Sequence, residues 1–288
     1  MEVAGTLGKG IHTGGDLHRA SQSPVIGPYS ITEGKRIMRV FVALWKREVT
    51  SAFYTPMAWV ILFFLLLVTG FNFYAGVTVL NHGPTEVTVV ESFFNTIFFW
   101  FAFLLLFPLL TMRLFSEEYR SGTIEPLMTA PVRDSQVVLA KFFGVLFLYA
   151  VIWLPTGLYF LIFWWQTHLY AAGAVGAFFG SYLLLLMMGM FYLSLGCLCS
   201  SLSRHQMTAA VMTFAVISLF FLTGLLSFLS GSVGALMQGI TITFSPIDQM
   251  TQFSRGIFDT RPVVWYLVMT SLCLFLTLHS FQARRWRS

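Results

Sequence analysis

Six long, mostly apolar stretches fix what this chain can become. They cover about residues 57–76, 93–114, 137–163, 174–200, 207–229 and 263–281. About 20 apolar residues in a helix cross the hydrocarbon core of a bilayer. Each stretch therefore reads as a membrane-spanning helix, and the cores of the six contain no charged residue. Charged residues make up only 10% of the chain, against roughly 25% in soluble domains. The expected fold is all-α: a polytopic membrane protein with six spans.

The net charge of +5 gives no support to nucleic-acid binding, because its meaning lies in where the cations fall. With an odd span crossing one way and an even span the other, 15 of the 17 Lys and Arg share one face. Only Arg255 and Arg261 lie on the opposite face. That asymmetry predicts both termini and the loop between the second and third spans in the cytoplasm, with the chain in the cell (inner) membrane.

The spans are joined by unequal loops, and the polar island 113–141 stands out. It holds Glu117, Glu118, Arg120, Glu125, Arg133 and Asp134, six charges in eighteen residues. Helix formers at 117–120 are followed by Ser121, Gly122, Thr123 and Pro126, which end or bend a helix. The pattern predicts one or two short helical turns at the membrane surface. These serve either as a handle on the adjoining spans or as a solvated cap that fixes topology.

Residues 1–37 have no apolar core and are expected to be a disordered extension ahead of a domain at 38–288. Gly8-Lys9 is no phosphate loop: the upstream glycine falls on Val3, and Gly10 replaces the Ser/Thr. From 37 to 55 the chain is amphipathic. Arg39, Lys46, Arg47 and Thr50 share one side, and Ile37, Phe41, Leu44, Trp45 and Ala52 the other. Glu48 intrudes on the apolar side. An interfacial helix fits this pattern, with Pro56 turning the chain into the first span. Residues 77–92 read as a short loop. Pro108 and Pro155 lie within spans two and three. Gly173, Gly176, Gly180, Gly189 and Gly196 give the fourth span a small-residue surface for close helix approach.

Between the last two spans, residues 230–262 contain one helical signature. Ser245 is placed as N-cap, Pro246 as first helical residue, Asp248 near the positive end of the dipole and Gly256 as the stop. Ile247, Met250 and Phe253 recur every three residues on one face, and Asp248 and Asp259 balance Arg255 and Arg261. The segment is expected on the outer face, as a lid over the last two spans or as a gate. Asp248, Gln249, Gln252, Arg255, Asp259 and Arg261 are the gate candidates.

Catalytic and metal chemistry find no footing. There is no HExxH, GxSxG or paired-Cys motif, and Cys197 and Cys199, two apart, do not face each other on a helix. Ion-coupled carriers place ionisable groups in mid-membrane, and the cores of the spans have no charged residue, so energy is expected to enter at the cytoplasmic island.

The run 112–125, MRLFSEEYRSGTIE, following an amphipathic helix that carries Leu44-Trp45-Lys46-Arg47-Glu48, resembles the type-2 ABC transporter permeases. Ser245-Pro246, the run 253–261 and Ala283-Arg284-Arg285-Trp286 are similar to the gliding-motility branch. The resemblance covers 38–288. It implies a permease subunit of an ATP-driven exporter that pairs with a second permease copy or homologous permease and with a cytosolic ABC ATPase. It assigns Glu117, Glu118, Arg120, Ser121, Gly122, Thr123, Ile124 and Glu125 to a coupling helix seated in the ATPase. No cofactor is expected on this chain; ATP and Mg belong to the partner. A non-transporting membrane scaffold that docks a cytosolic partner and an ATP-independent channel or carrier are the alternatives.

Overall fold

The computed structural model describes residues 29–80, 88–122, 133–166, 174–229 and 244–285. It divides the chain into two units, Met1–Met38 and Arg39–Ser288, and the sites described below lie in the second. Ten helices occur among the described residues, with no strand among them. They are α1 (Tyr29–Tyr54), α2 (Pro56–Leu80), α3 (Val89–Phe94), α4 (Ile97–Thr111), α5 (Ser116–Ser121), α6 (Asp134–Gln166), α7 (Ala174–Leu202), α8 (Gln206–Leu229), α9 (Pro246–Ser254) and α10 (Thr260–Arg285).

Helices α2, α4, α6, α7, α8 and α10 are the six long enough and apolar enough to cross a membrane. All six expected spans are present. The second starts later than expected, at Ile97 rather than 93, because the residues before it form the separate helix α3. Helix α1 also begins before 37, at Tyr29. The rest of the 1–37 extension lies outside the described residues.

The apolar window of α7 is 72% buried and that of α6 61%, whereas α2, α8 and α10 bury only 22–28%. Helices α6 and α7 are therefore central, and α2, α8 and α10 present their flanks to lipid or to a partner. Around α7 the core is a continuous aromatic network: Phe99, Phe103 and Phe107 on α4, Trp153 on α6 and Tyr192 on α7, with ring centroids 4.8–6.3 Å apart. The α7 glycines make room for this packing. Gly189 lies against the ring of Tyr149 and Gly196 against Thr111, so a Cβ at either would drive α6 or α4 away. Hydroxyls inside the spans turn back on their own helices: Thr69 Oγ1 donates to Leu65 O at 2.7 Å and Thr213 Oγ1 to Ala209 O at 2.8 Å. In hydrocarbon this spares the group a partnerless state. The three cysteines are free and buried, as packing residues.

Candidate functional site

The island opens with a corner between α4 and α5. Phe115, fully buried, plugs it. Its ring faces Phe281 of α10 with centroids 6.1 Å apart, and Lys141 Nζ lies 5.6 Å from its centroid. The N–H groups of Phe115 and Ser116 both donate to Ser200 Oγ at the end of α7, at 3.1 and 3.3 Å. The first N–H groups of a helix have no partner within it, so a side chain of the fourth span completes the start of α5. At the other end Gly122 adopts φ +70°, a left-handed stop that costs a residue with a Cβ about 1–2 kcal/mol.

The six residues of α5 divide into two sides. Glu117, Arg120 and Ser121, at helical spacing i, i+3 and i+4, are exposed, as is Gly122. Glu118 turns inward instead. Its Oε1 lies 2.7 Å from Lys141 Nζ, and Lys141 Nζ is 3.1 Å from Glu48 Oε1 on α1. The Lys141 side chain is only 4% exposed, against 17% for Glu118 and 23% for Glu48. One buried ammonium thus ties the interfacial helix, the island helix and the third span together. Glu118, expected with its neighbours in the coupling helix, makes this internal contact because the helical turn that exposes 117, 120 and 121 directs 118 inward. Thr123, Ile124 and Glu125 lie outside the described residues.

Sequence reasoning missed Lys141 and Ser200 as parts of this site. The signal for Lys141 was Glu48, a carboxylate on the apolar side of an amphipathic helix that needs a cation there. Helix α1 reaches it by lying against α6: Phe41 meets Phe143 and Trp45 meets Phe147 edge-on, at 6.3 and 5.5 Å. Gly144 leaves space for the approach, since a Cβ there would come within 3.0 Å of Glu48 Cβ. Nothing local marks Ser200, 85 residues from Phe115 in sequence.

Loop order puts α3 and α9 together on the opposite face. Helix α9 has the expected caps. Ser245 Oγ accepts from the Asp248 N–H at 3.2 Å, and Pro246 is the first helical residue. Past its end Gly256 has φ +80°. The Gly256 N–H donates to Phe253 O and the Ile257 N–H to Gln252 O, both at 3.0 Å, the double closure of a Schellman motif. Met250 and Phe253 are fully buried and Ile247 packs against the same core. This face of α9 rests on the spans.

The gate candidates separate. Gln249 is buried, and its Oε1 accepts from Tyr266 Oη at 2.7 Å. Asp248, Gln252 and Asp259 are half-buried, and Arg255 and Arg261 exposed. The expected charge balance takes a different form. Arg255 Nε pairs at 2.7 Å with Glu91 Oε1 on α3, whose carboxylate is buried, while Asp259 Oδ1 accepts from the Arg261 backbone N–H at 3.0 Å and caps α10. Thr251 Oγ1 also donates to Asn95 Oδ1 at 2.9 Å. Two short helices from two different loops thus close on each other. Residues 77–92, expected as a plain loop, contain the start of one of them. Thr88-Val89-Val90-Glu91 carries the Ser/Thr-x-x-Glu start signal, and Thr88 Oγ1 accepts from the Glu91 N–H at 3.1 Å.

Among the described residues no cluster of His, Cys, Asp or Glu is placed to hold a metal. A family model described as ABC-2 family transporter protein matches residues 83–278, about two-thirds of the chain. The match is to the family as a whole and does not single out the gliding-motility branch. No curated protein matches the chain. With six apolar spans around an aromatic core and the family match running from the loop before the second span to near the end of the sixth, the chain belongs to the ABC-2 family and is a membrane-embedded, multi-pass permease subunit of a transporter.

Proposed function

We propose that this permease is one half of the membrane pathway of an ATP-driven exporter, coupled through the 116–134 loop to a separate cytosolic ABC ATPase. The observation that carries this reading is the two-sided α5. One side presents Glu117, Arg120 and Ser121 to solvent, and the other is fixed to α6, α1 and α7 by Lys141 and Ser200. A helix held so firmly at its back is a handle: a push on its exposed side is delivered to three other helices. A topological cap would need charge but no such anchoring.

Under this reading ATP and Mg are bound by the partner and none by this chain. A second permease copy or a homologous permease completes the pathway, and cargo moves between the two halves. In this reading the chain sits in the cell (inner) membrane with both termini and α5 on the cytoplasmic side, which the Lys and Arg excess on that face supports. Co-purification from the native membrane should bring down a Walker-motif protein whose ATP hydrolysis depends on this chain. A complex that assembles but neither hydrolyses ATP nor moves any solute would be a scaffold, and the exporter reading would fail.

On the outer face, α3 and α9 form the exit gate in this reading, latched by Glu91–Arg255 and Asn95–Thr251. Gln249 is its best reporter, because it is sealed against Tyr266 while α9 is seated. In a background lacking the native cysteines, a cysteine at 249 should resist an impermeant thiol reagent in one nucleotide state and react in the other. Equal reactivity in both states would leave α9 as a fixed lid.

A further inference from the structure

Beside the α5 anchor, and sharing Glu48, Glu117, Glu118 and Lys141 with it, lies a cavity of about 280 Å³. It is walled by the α1–α2 elbow on one side, the α4–α5 corner on another, and α6. Ala58, Ile61, Leu110 and Leu148, all buried, line it. Its charged wall carries Arg47, Arg113 and Lys141 against Glu48, Glu117 and Glu118, three cations facing three carboxylates. Lys141 is engaged with Glu48 and Glu118. Arg47, Arg113 and Glu117 are exposed and form no salt bridge among the described residues. The cavity sits where the first three spans reach the Lys- and Arg-rich face, at headgroup depth. It therefore offers unpaired guanidiniums, an unpaired carboxylate and an aliphatic wall, with no net charge overall.

We propose that this cavity is a binding site for a zwitterionic phospholipid with a primary ammonium head, a phosphatidylethanolamine. Its phosphate meets Arg47 and Arg113, its ammonium meets Glu117, and the upper part of an acyl chain lies along Ile61, Leu110 and Leu148. Guanidinium pairs phosphate in a forked geometry, and basic pockets between spans at this depth recognise lipid heads. A neutral charge set favours a zwitterion over an anion, and a carboxylate favours an ammonium with N–H donors over a quaternary amine. The volume, near the lower end for ligand pockets, suits a headgroup and the first methylenes. The inference needs only the membrane setting and does not rest on ATPase coupling.

The test is native mass spectrometry of the full-length chain released from nanodiscs that contain equal parts of phosphatidylethanolamine, phosphatidylcholine and phosphatidylglycerol. One phosphatidylethanolamine should be retained roughly tenfold over the other two, a factor equivalent to about 1.4 kcal/mol. Retention should fall about tenfold in Arg47→Ala/Arg113→Ala, survive in Arg47→Lys/Arg113→Lys, and vanish in Ile61→Trp, which fills the cavity. Both arginines are exposed, so the double-Ala variant should keep its melting temperature, which separates lost binding from misfolding. Preferential retention of phosphatidylglycerol, displacement of the lipid by inorganic phosphate, or retention unchanged by both the Ala and the Trp variants would overturn the assignment.

Discussion

Replacing Lys141 by methionine should lower the melting temperature of the purified protein by roughly 5–10 °C and uncouple ATP hydrolysis from transport. The ammonium is nearly inaccessible and bridges Glu118 at 2.7 Å and Glu48 at 3.1 Å. Removing it leaves two largely buried carboxylates without their cation. Breaking a buried ion pair from one side costs about 3–5 kcal/mol, and the partial exposure of both carboxylates puts this case near the lower bound. The loss should be largely recovered in Lys141→Met/Glu118→Gln/Glu48→Gln, since removing all the charges removes the desolvation problem. The triple variant would still lack the electrostatic tie between α1, α5 and α6, so stability should return while coupling does not. That split distinguishes a transmitting contact from a merely stabilising one. A Lys141→Met protein that melts and transports normally would remove the anchor from the account.

Gly122→Trp should reduce ATP-driven transport by about tenfold or more, a coupling loss of at least 1.4 kcal/mol, while membrane insertion is unaffected. A Cβ at Gly122 meets nothing within 4 Å, so the side chain finds no obstacle inside the protein. The backbone strain at φ +70° amounts to about 1–2 kcal/mol and is confined to the end of a surface helix. Gly122→Asn separates strain from bulk, because Asn tolerates the left-handed conformation, and it should transport far better than the Trp variant. Equal transport by Gly122→Trp and the native protein would mean that nothing approaches this surface closely.

Much of the architecture was legible because a bilayer imposes one length scale on apolar runs. The boundaries of α7 and α8 differ from the sequence expectation by at most two residues. The caps of α9 were legible for a similar reason: Ser245, Pro246 and Gly256 each do something local, satisfying or removing an end group of one short helix. The misreadings are contacts between distant segments. Glu48 and Lys141 are 93 residues apart, and Glu91 and Arg255 are 164 apart. Glu48 was noticed as out of place but given no partner, and Arg255 was balanced against Asp248 and Asp259 rather than Glu91. Glu118 was assigned to the ATPase-coupling helix through the resemblance, which does not say which side of the helix it occupies. In a helix of six residues, exposure depends on which side the tertiary contacts claim. Helix α3 differs again. Its start signal at Thr88 was present, but the adjoining apolar span absorbed Phe93 and Phe94, both of which are fully buried.

The central claim is that the exposed side of α5 docks on a nucleotide-hydrolysing partner. A photo-reactive amino acid placed in turn at Glu117, Arg120 and Glu118, in intact cells, tests it most directly. Positions 117 and 120 are predicted to cross-link to a Walker-motif protein, and position 118, turned toward Lys141, to this chain itself. Cross-links from 117 and 120 only to lipid or to this chain, with the Walker-motif protein captured elsewhere or not at all, would contradict coupling through α5.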